Sequence, residues 1–239
     1  MQTTLLNKLK YYKASFQRKG IMETIKQVLF DYYYNKKFAP YNFQFSISDR
    51  QTSQQNLSAS EEVTSKSAGK DGTADNPTSS YYLFKYFRLI NIAPDKIHFL
   101  DLGCGSGKAM VVAMWLKFQH VTGVDLNSFS LNRAADNCNK AKEISNLSEF
   151  EIVSCDAAAY LIPTDVNVVF MCNPFYETTM KAVVNNILKS YEENKREMYI
   201  VYHSPLFANL FEGKKVFKTH YSKFLSSGIM EGVIYRLGK

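Results

Sequence analysis

The chain has 239 residues, 46% of them apolar and 21% charged, the make-up of one globular domain with an appendage rather than of a fibrous or disordered protein. It holds no apolar run of about 18 residues, so no membrane-spanning helix is expected, and the lysines of MQTTLLNKLKYYK stand where a signal peptide needs its apolar stretch. The net charge of +7 is uneven: residues 1–40 carry eight Lys/Arg against Glu23 and Asp31, and the other 199 residues are nearly balanced, which speaks against a nucleic-acid groove spread over the protein.

Residues 1–45 read as a basic helical arm. Leu5, Leu9, Tyr12 and Phe16 recur at helical spacing, as do Ile21, Ile25, Val28, Leu29 and Tyr32, with Gly20 between the runs. Two destinations fit these stripes. One is the main domain or a second subunit, where one-sided apolar stripes ordinarily dock; the other is an anionic membrane or polyanion. Docking on the main domain or a partner is the expectation. Residues 46–77 are rich in Ser, Thr, Gln, Asn and Asp and almost lack large apolar side chains. Such a stretch cannot bury enough surface to fold alone; it is a linker, or a lid that orders on binding.

From residue 78 to 239 strands and helices alternate. YYLFKYFRLI reads as a buried helix, KIHFLDL as a strand, and KAMVVAMWLKF as a helix apolar nearly all round. HVTGVDL is a second strand, and Leu131, Ala134, Ala135 and Cys138 mark one face of the next helix. FEIVSCD and VNVVFMCNP are strands three and four. Met180, Val183, Val184, Ile187 and Leu188 line one helical face, and EMYIVYHSP is strand five. KVFKTHY and GIMEGVIYRL have no helix between them and predict an antiparallel edge hairpin. The expected fold is therefore α/β, a Rossmann-like, mostly parallel sheet covered on both sides. Cys104, Cys138, Cys155 and Cys172 form no C-x-x-C pair, which predicts reduced thiols in a cytoplasmic protein and no metal site.

In such sheets ligands lie beyond the carboxyl ends of the strands. FLDLGCGSGKAM sets Asp101, Gly103, Gly105 and Gly107 at that end of the first strand, before a helix whose first N–H groups are free to meet a ligand. A P-loop does not fit, because Leu102 stands where its first glycine belongs and Ala109 follows Lys108. The dinucleotide pattern G-x-G-x-x-G fits poorly, with Lys108 at its last position.

The pattern D-x-G-x-G-x-G instead resembles the first motif of the class I S-adenosylmethionine-dependent methyltransferases. That resemblance spans roughly Pro77 to Arg236. It implies that Asp101, Gly103, Cys104, Gly105 and Gly107 hold the cofactor, Cys104 through its backbone N–H. It places Asp125, with Leu126, on the two ribose hydroxyls, and Asp156, with Ala157, beside the adenine. Asn173-Pro174-Phe175 would lie near the transferring methyl. Read on their own, Asp125 and Asp156 also suit strand-ending turns. DLGCGSGKAM, NPF and VYHSP resemble a bacterial group of small methyltransferases, whose Tyr-x-Pro-Thr element is kept here only as Pro77-Thr78.

NPFY is similar to the N-P-P-[YF] signature of amino-group methyltransferases, without its second proline. It points to a nitrogen acceptor on a protein side chain or small amine. The Asn173 side-chain oxygen and the Pro174 carbonyl would each accept one N–H, and Phe175 or Tyr176 would stack. Two other readings stay open: O-methylation with His203 as base, or a non-catalytic cofactor-binding scaffold on the same fold.

Overall fold

The computed structural model describes residues 13, 16, 17, 19–45, 78–145, 148–214, 216–223 and 230–238. The polar segment 46–77 and the predicted stripe positions Leu5, Leu9 and Tyr12 lie outside the described residues. Seven strands form one sheet: β1 His98–Leu102, β2 His120–Asp125, β3 Glu149–Ser154, β4 Val168–Cys172, β5 Met198–His203, β6 Phe217–Lys223 and β7 Met230–Leu237, in the order β3-β2-β1-β4-β5-β7-β6. Strands β1 to β5 are parallel. β7 runs antiparallel between β5 and β6, so the predicted hairpin is present and β6 is its outer edge.

The helices are α1 Ile21–Phe38, α2 Ser80–Phe87, α3 Lys108–Trp115, α4 Ser128–Ser145 and α5 Glu177–Glu193. Helix α3 reads as apolar all round because it is: Ala109 to Met114 are all buried. Helix α5 buries Met180, Val183, Val184 and Ile187, the face its spacing predicts. Asn127 caps α4, its side-chain oxygen accepting the Ser130 N–H at 3.0 Å. Ser79 caps α2 in the same way, accepting the Tyr81 N–H at 3.2 Å. The two faces of the sheet carry separate cores. Phe99, Phe170, Tyr199 and Val201 pack against α2 and α3, and Leu100, Leu102, Met171, Ile200 and Tyr202 pack on the α5 side. Strand alternation alone dictates this split.

Helix α1 departs from expectation in which face it buries. The stripe of Ile21, Ile25, Leu29 and Tyr32 points to solvent, with exposures of 60%, 46%, 64% and 68%. The buried face is Thr24, Gln27, Tyr34 and Phe38. Polar and aromatic partners explain the choice. Lys85 Nζ donates to Glu23 at 3.1 Å and the Tyr81 hydroxyl donates to the same carboxylate oxygen at 2.6 Å. The Ser79 hydroxyl donates to Asp31 at 2.9 Å, and Tyr34 lies on Phe84 with ring centroids 4.1 Å apart. Hydrogen-bonded acids and ring pairs set the orientation, and the aliphatic stripe is left outside.

Candidate active site

Three adjacent strands, β1, β4 and β5, end in the same way. The residue after or near each strand end adopts a left-handed backbone: Gly103 (φ 76°), Asn173 (φ 43°) and Ser204 (φ 50°). Glycine takes that conformation freely, whereas asparagine and above all serine take it at a cost that the surroundings must hold. Three sharp reversals side by side turn the chain away from the sheet and open its carboxyl edge. The β1 and β4 turns touch. A Cβ on Gly103 would stand 2.5 Å from Pro174 Cβ, so no side chain is tolerated there. Gly107, also left-handed, sits under α4, where a Cβ would come within 3.0 Å of Ala134 Cβ.

The glycine turn is tied to β2. Gly103 N and Cys104 N both donate to the Val124 carbonyl, at 2.9 and 3.1 Å. The expected backbone contact from Cys104 is thus already spent inside the fold, and its thiol is buried as well. Gly105 N donates to Asp125 Oδ2 and Asn127 N to Oδ1, each at 2.9 Å. Burial pushes the Asp125 carboxyl up from its ordinary range, and hydrogen bonds from the Asn127, Gly105 and Leu126 backbones act against that. A carboxylate has about four acceptor positions. Gly105 N and Asn127 N take one on each oxygen.

The remaining predicted residues fall as follows. Asp101 is buried, and its charge, after burial itself, helps push the Cys138 thiol up to about 12. Leu126 is largely exposed. Asp156 caps its own turn, accepting the Ala158 N–H at 2.9 Å, and Ala157 is buried in the α5-side core. Pro174 is buried, Phe175 is half-buried beside Gly103, and Tyr176 is exposed.

His203 and Asn173 end neighbouring strands but serve different faces. Tyr202, facing the α5 side, donates its hydroxyl to Asn173 Oδ1 at a long 3.4 Å. Burial pushes that phenol up to about 12, so it stays a donor. The next residue, His203, points to the opposite face. Its Nδ1 pairs with the Tyr86 hydroxyl at 3.1 Å, and its ring lies 5.0 Å from that of Tyr82. Burial first, then the charges of Lys19 and Lys85, lower its pKa to about 4. A neutral, enclosed imidazole of that basicity is a poor proton acceptor. The reading of His203 as a base therefore gives way to one of a polar core residue that joins β5 to α2.

Residues that carry no motif complete the rim. Asn137 of α4 is wholly buried. Its side-chain amide donates to the Ser106 carbonyl at 2.9 Å and to Gln44 O at 3.3 Å, and its oxygen accepts the Gln44 N–H at 2.9 Å. It fastens the segment after α1 to the glycine turn. That segment is turned back by Asn42 (φ 48°). Lys108 Nζ lies 6.0 Å from the Phe45 ring, and burial lowers its pKa against the pull of Asp31. Thr78, the threonine of the Pro-Thr pair, is buried with a hydroxyl that meets no partner among the described residues.

Residues 99–193 match the family model described as "Methyltransferase domain". That stretch of the chain is similar to the methyltransferase family. Its fold is shared with solved structures of low sequence identity. A protein of Escherichia coli provisionally assigned as a methyltransferase is 15% identical, with a TM-score of 0.52 over 69% of this chain and 90% of that one. One of Haemophilus influenzae, provisionally assigned as a methylase, is 18% identical, with a TM-score of 0.50 over 68% and 100%. A protein of the NADB-Rossmann superfamily from Streptococcus agalactiae is 11% identical, with a TM-score of 0.50 over 70% and 72%. No curated protein sequence matches the chain.

S-adenosylmethionine is the cofactor that the sequence resemblance implies, and the residues present fit it: the Gly103 turn leaves no room for a Cβ, and the Asp125 carboxylate stands beside that turn at the end of β2. When bound it supplies a methyl group on a sulfonium, which needs no metal ion, and no group of His, Cys, Asp or Glu among the described residues is arranged to hold one. No helix among the described residues is long and apolar enough to cross a membrane.

Proposed function

We propose that this protein methylates a nitrogen atom, on a protein side chain or a small amine, and that Asn173 and Pro174 position that nitrogen. The observation that carries the reading is the pairing of Asn173 with Tyr202. A buried phenol donating to Oδ1 fixes the amide with its oxygen anchored on the β5 side. In this reading the same oxygen also accepts an N–H of the substrate nitrogen. The Pro174 carbonyl follows directly in the chain, and proline contributes no N–H to interfere with it. Two accepted N–H bonds leave the nitrogen lone pair aimed away from both oxygens, so alignment carries much of the catalysis. The left-handed backbone at Asn173 supports this: strain held at a site is kept where it sets a geometry.

Cofactor contacts follow the same reading. Gly103, Gly105 and Gly107 give close backbone approach, Asp125 takes a ribose hydroxyl, and Leu126 lies beside it. Asp156, Ala157 and Asp101 complete the set with their backbone or buried charge. The stretches DLGCGSGKAM, NPF and VYHSP support membership of the bacterial group they resemble. Cys104, Cys138, Cys155 and Cys172, none of them in a disulfide among the described residues, support a cytoplasmic site of action. O-methylation through His203 loses its physical basis with that residue's burial. Nucleic acid is the weaker acceptor class, because the positive charge gathers in residues 1–40.

The test is Asn173→Ala, assayed with methyl-labelled cofactor and a fractionated lysate as acceptor source. Turnover falls about 10²–10³-fold while S-adenosylhomocysteine affinity stays within about three-fold. Equal loss of both would move Asn173 from the acceptor to the cofactor. Label entering only hydroxyl or carboxyl groups would refute the nitrogen reading.

A further inference from the structure

Helix α1 carries two acids, and both face inward. Glu23 is held by Tyr81 and Lys85, and Asp31 by Ser79. Its outward face is different in kind. Ile21, Met22, Ile25, Leu29, Tyr32 and Tyr33 are all exposed on it, each with 46% or more of its surface in solvent. At 100° per residue these six lie within one third of the helix circumference. Exposed Lys36 falls inside that arc near the carboxyl end, and exposed Lys26 and Lys37 lie along one flank. Lys37 stays close to the protein, its ammonium 5.0 Å from the Trp115 ring. The outer face of α1 thus bears large apolar side chains and lysines, and no acid.

We propose that this face seats the protein on an anionic lipid surface, with α1 lying in the plane of the headgroups. The composition of the face decides for lipid. An amphipathic helix in the interface places aliphatic and aromatic side chains just below the headgroups and lysines among them. Tyrosines belong at that depth, with the ring in the apolar layer and the hydroxyl in water. A second copy of this chain is a poorer occupant. A two-fold contact through the same face would bring Lys26 and Lys36 of one copy toward those of the other with no acid to answer them. The arm's charge agrees: eight Lys/Arg against two acids in residues 1–40, where the two acids are both turned inward. The attraction is peripheral and reversible, since α1 is also fastened to α2 on its inner side.

The test is flotation of the full chain with phosphatidylcholine vesicles, with and without phosphatidylglycerol as a minority lipid. The chain should float with the phosphatidylglycerol vesicles and not with phosphatidylcholine alone, and raised salt should release it. Ile25→Ser with Leu29→Ser should abolish flotation without shifting the melting temperature, because both positions are exposed. Lys26→Gln and Lys36→Gln should each weaken binding about five-fold and leave the apolar face intact. Absence of flotation, equal flotation with neutral vesicles, or binding that ignores both pairs of variants would overturn the proposal. So would a concentration-dependent dimer that Ile25→Ser with Leu29→Ser dissolves, since the face would then belong to a second copy.

Discussion

Lowering the pH through the range of an ordinary histidine should destabilise this protein in proportion to the burial of His203. The imidazole is neutral in the folded state, with its pKa lowered to about 4 by burial and by Lys19 and Lys85, and it returns to about 6.5 on unfolding. A depressed folded-state pKa means that the unfolded chain binds the extra proton. The contribution is therefore intact above about pH 6.5 and is lost as pH falls toward 4. The full span is worth about 3 kcal/mol, of which roughly 1 kcal/mol is gone by about pH 5.5. Urea denaturation at a series of pH values measures it, and His203→Phe isolates it. The variant should start out less stable by about 1–3 kcal/mol, because the hydrogen bond between the Tyr86 hydroxyl and Nδ1 is lost, and its stability should then fall more gently with acid. Turnover at neutral pH should stay within a few-fold of the parent. Parallel acid profiles for parent and variant would refute the buried-neutral assignment, and a variant that folds normally and has lost turnover would refute the exclusion of His203 from proton transfer.

Gly103→Ala forces a left-handed alanine against Pro174 Cβ; the combined backbone and packing cost is about 2–5 kcal/mol, read by urea denaturation, and a cost below about 0.5 kcal/mol would contradict the tight contact of the two turns. Asn137→Ala removes three hydrogen bonds at a wholly buried position and should cost about 2–4 kcal/mol, with faster amide exchange at Gln44 than at α4; uniform exchange would show that Asn137 does not fasten that segment. Asp125→Asn keeps the shape and removes the charge, so S-adenosylhomocysteine should bind about 10- to 150-fold more weakly by calorimetry, the equivalent of about 1.5–3 kcal/mol; unchanged affinity would take Asp125 out of the cofactor site.

The alternation of strands and helices from Tyr81 onward was legible because each buried strand is a short apolar run and each helix has a clear period, as in Ala109–Met114 and Met180–Ile187. The glycine turn was legible for a local reason: a Cβ on Gly103 would strike Pro174, and Gly107 is left-handed and crowded by Ala134. Asn173 could be selected from its place after β4. What escaped depends on contacts distant in sequence. Helix α1 was expected to bury its most apolar face, and that rule yields when an opposite face offers hydrogen-bond partners such as Tyr81, Lys85 and Ser79, which lie some fifty residues away. His203 looked catalytic by position, and only the strand register, with Tyr202 committed to one face, sends it to the other. Asn137 is an ordinary polar residue in an amphipathic helix until Gln44 and Ser106 are brought to it. Cys104 reads as a contact through its backbone N–H, and the Val124 carbonyl takes that group within the fold.

The central claim is that the carboxyl edge of β1 and β2 holds a sulfonium nucleoside. Isothermal titration of the full chain with S-adenosylhomocysteine tests it, with a nicotinamide dinucleotide and a nucleoside triphosphate as competitors. The account predicts saturable heat at one equivalent for S-adenosylhomocysteine, a raised melting temperature, and neither effect from the other two. Silence toward S-adenosylhomocysteine alongside binding of the dinucleotide or the triphosphate would contradict it.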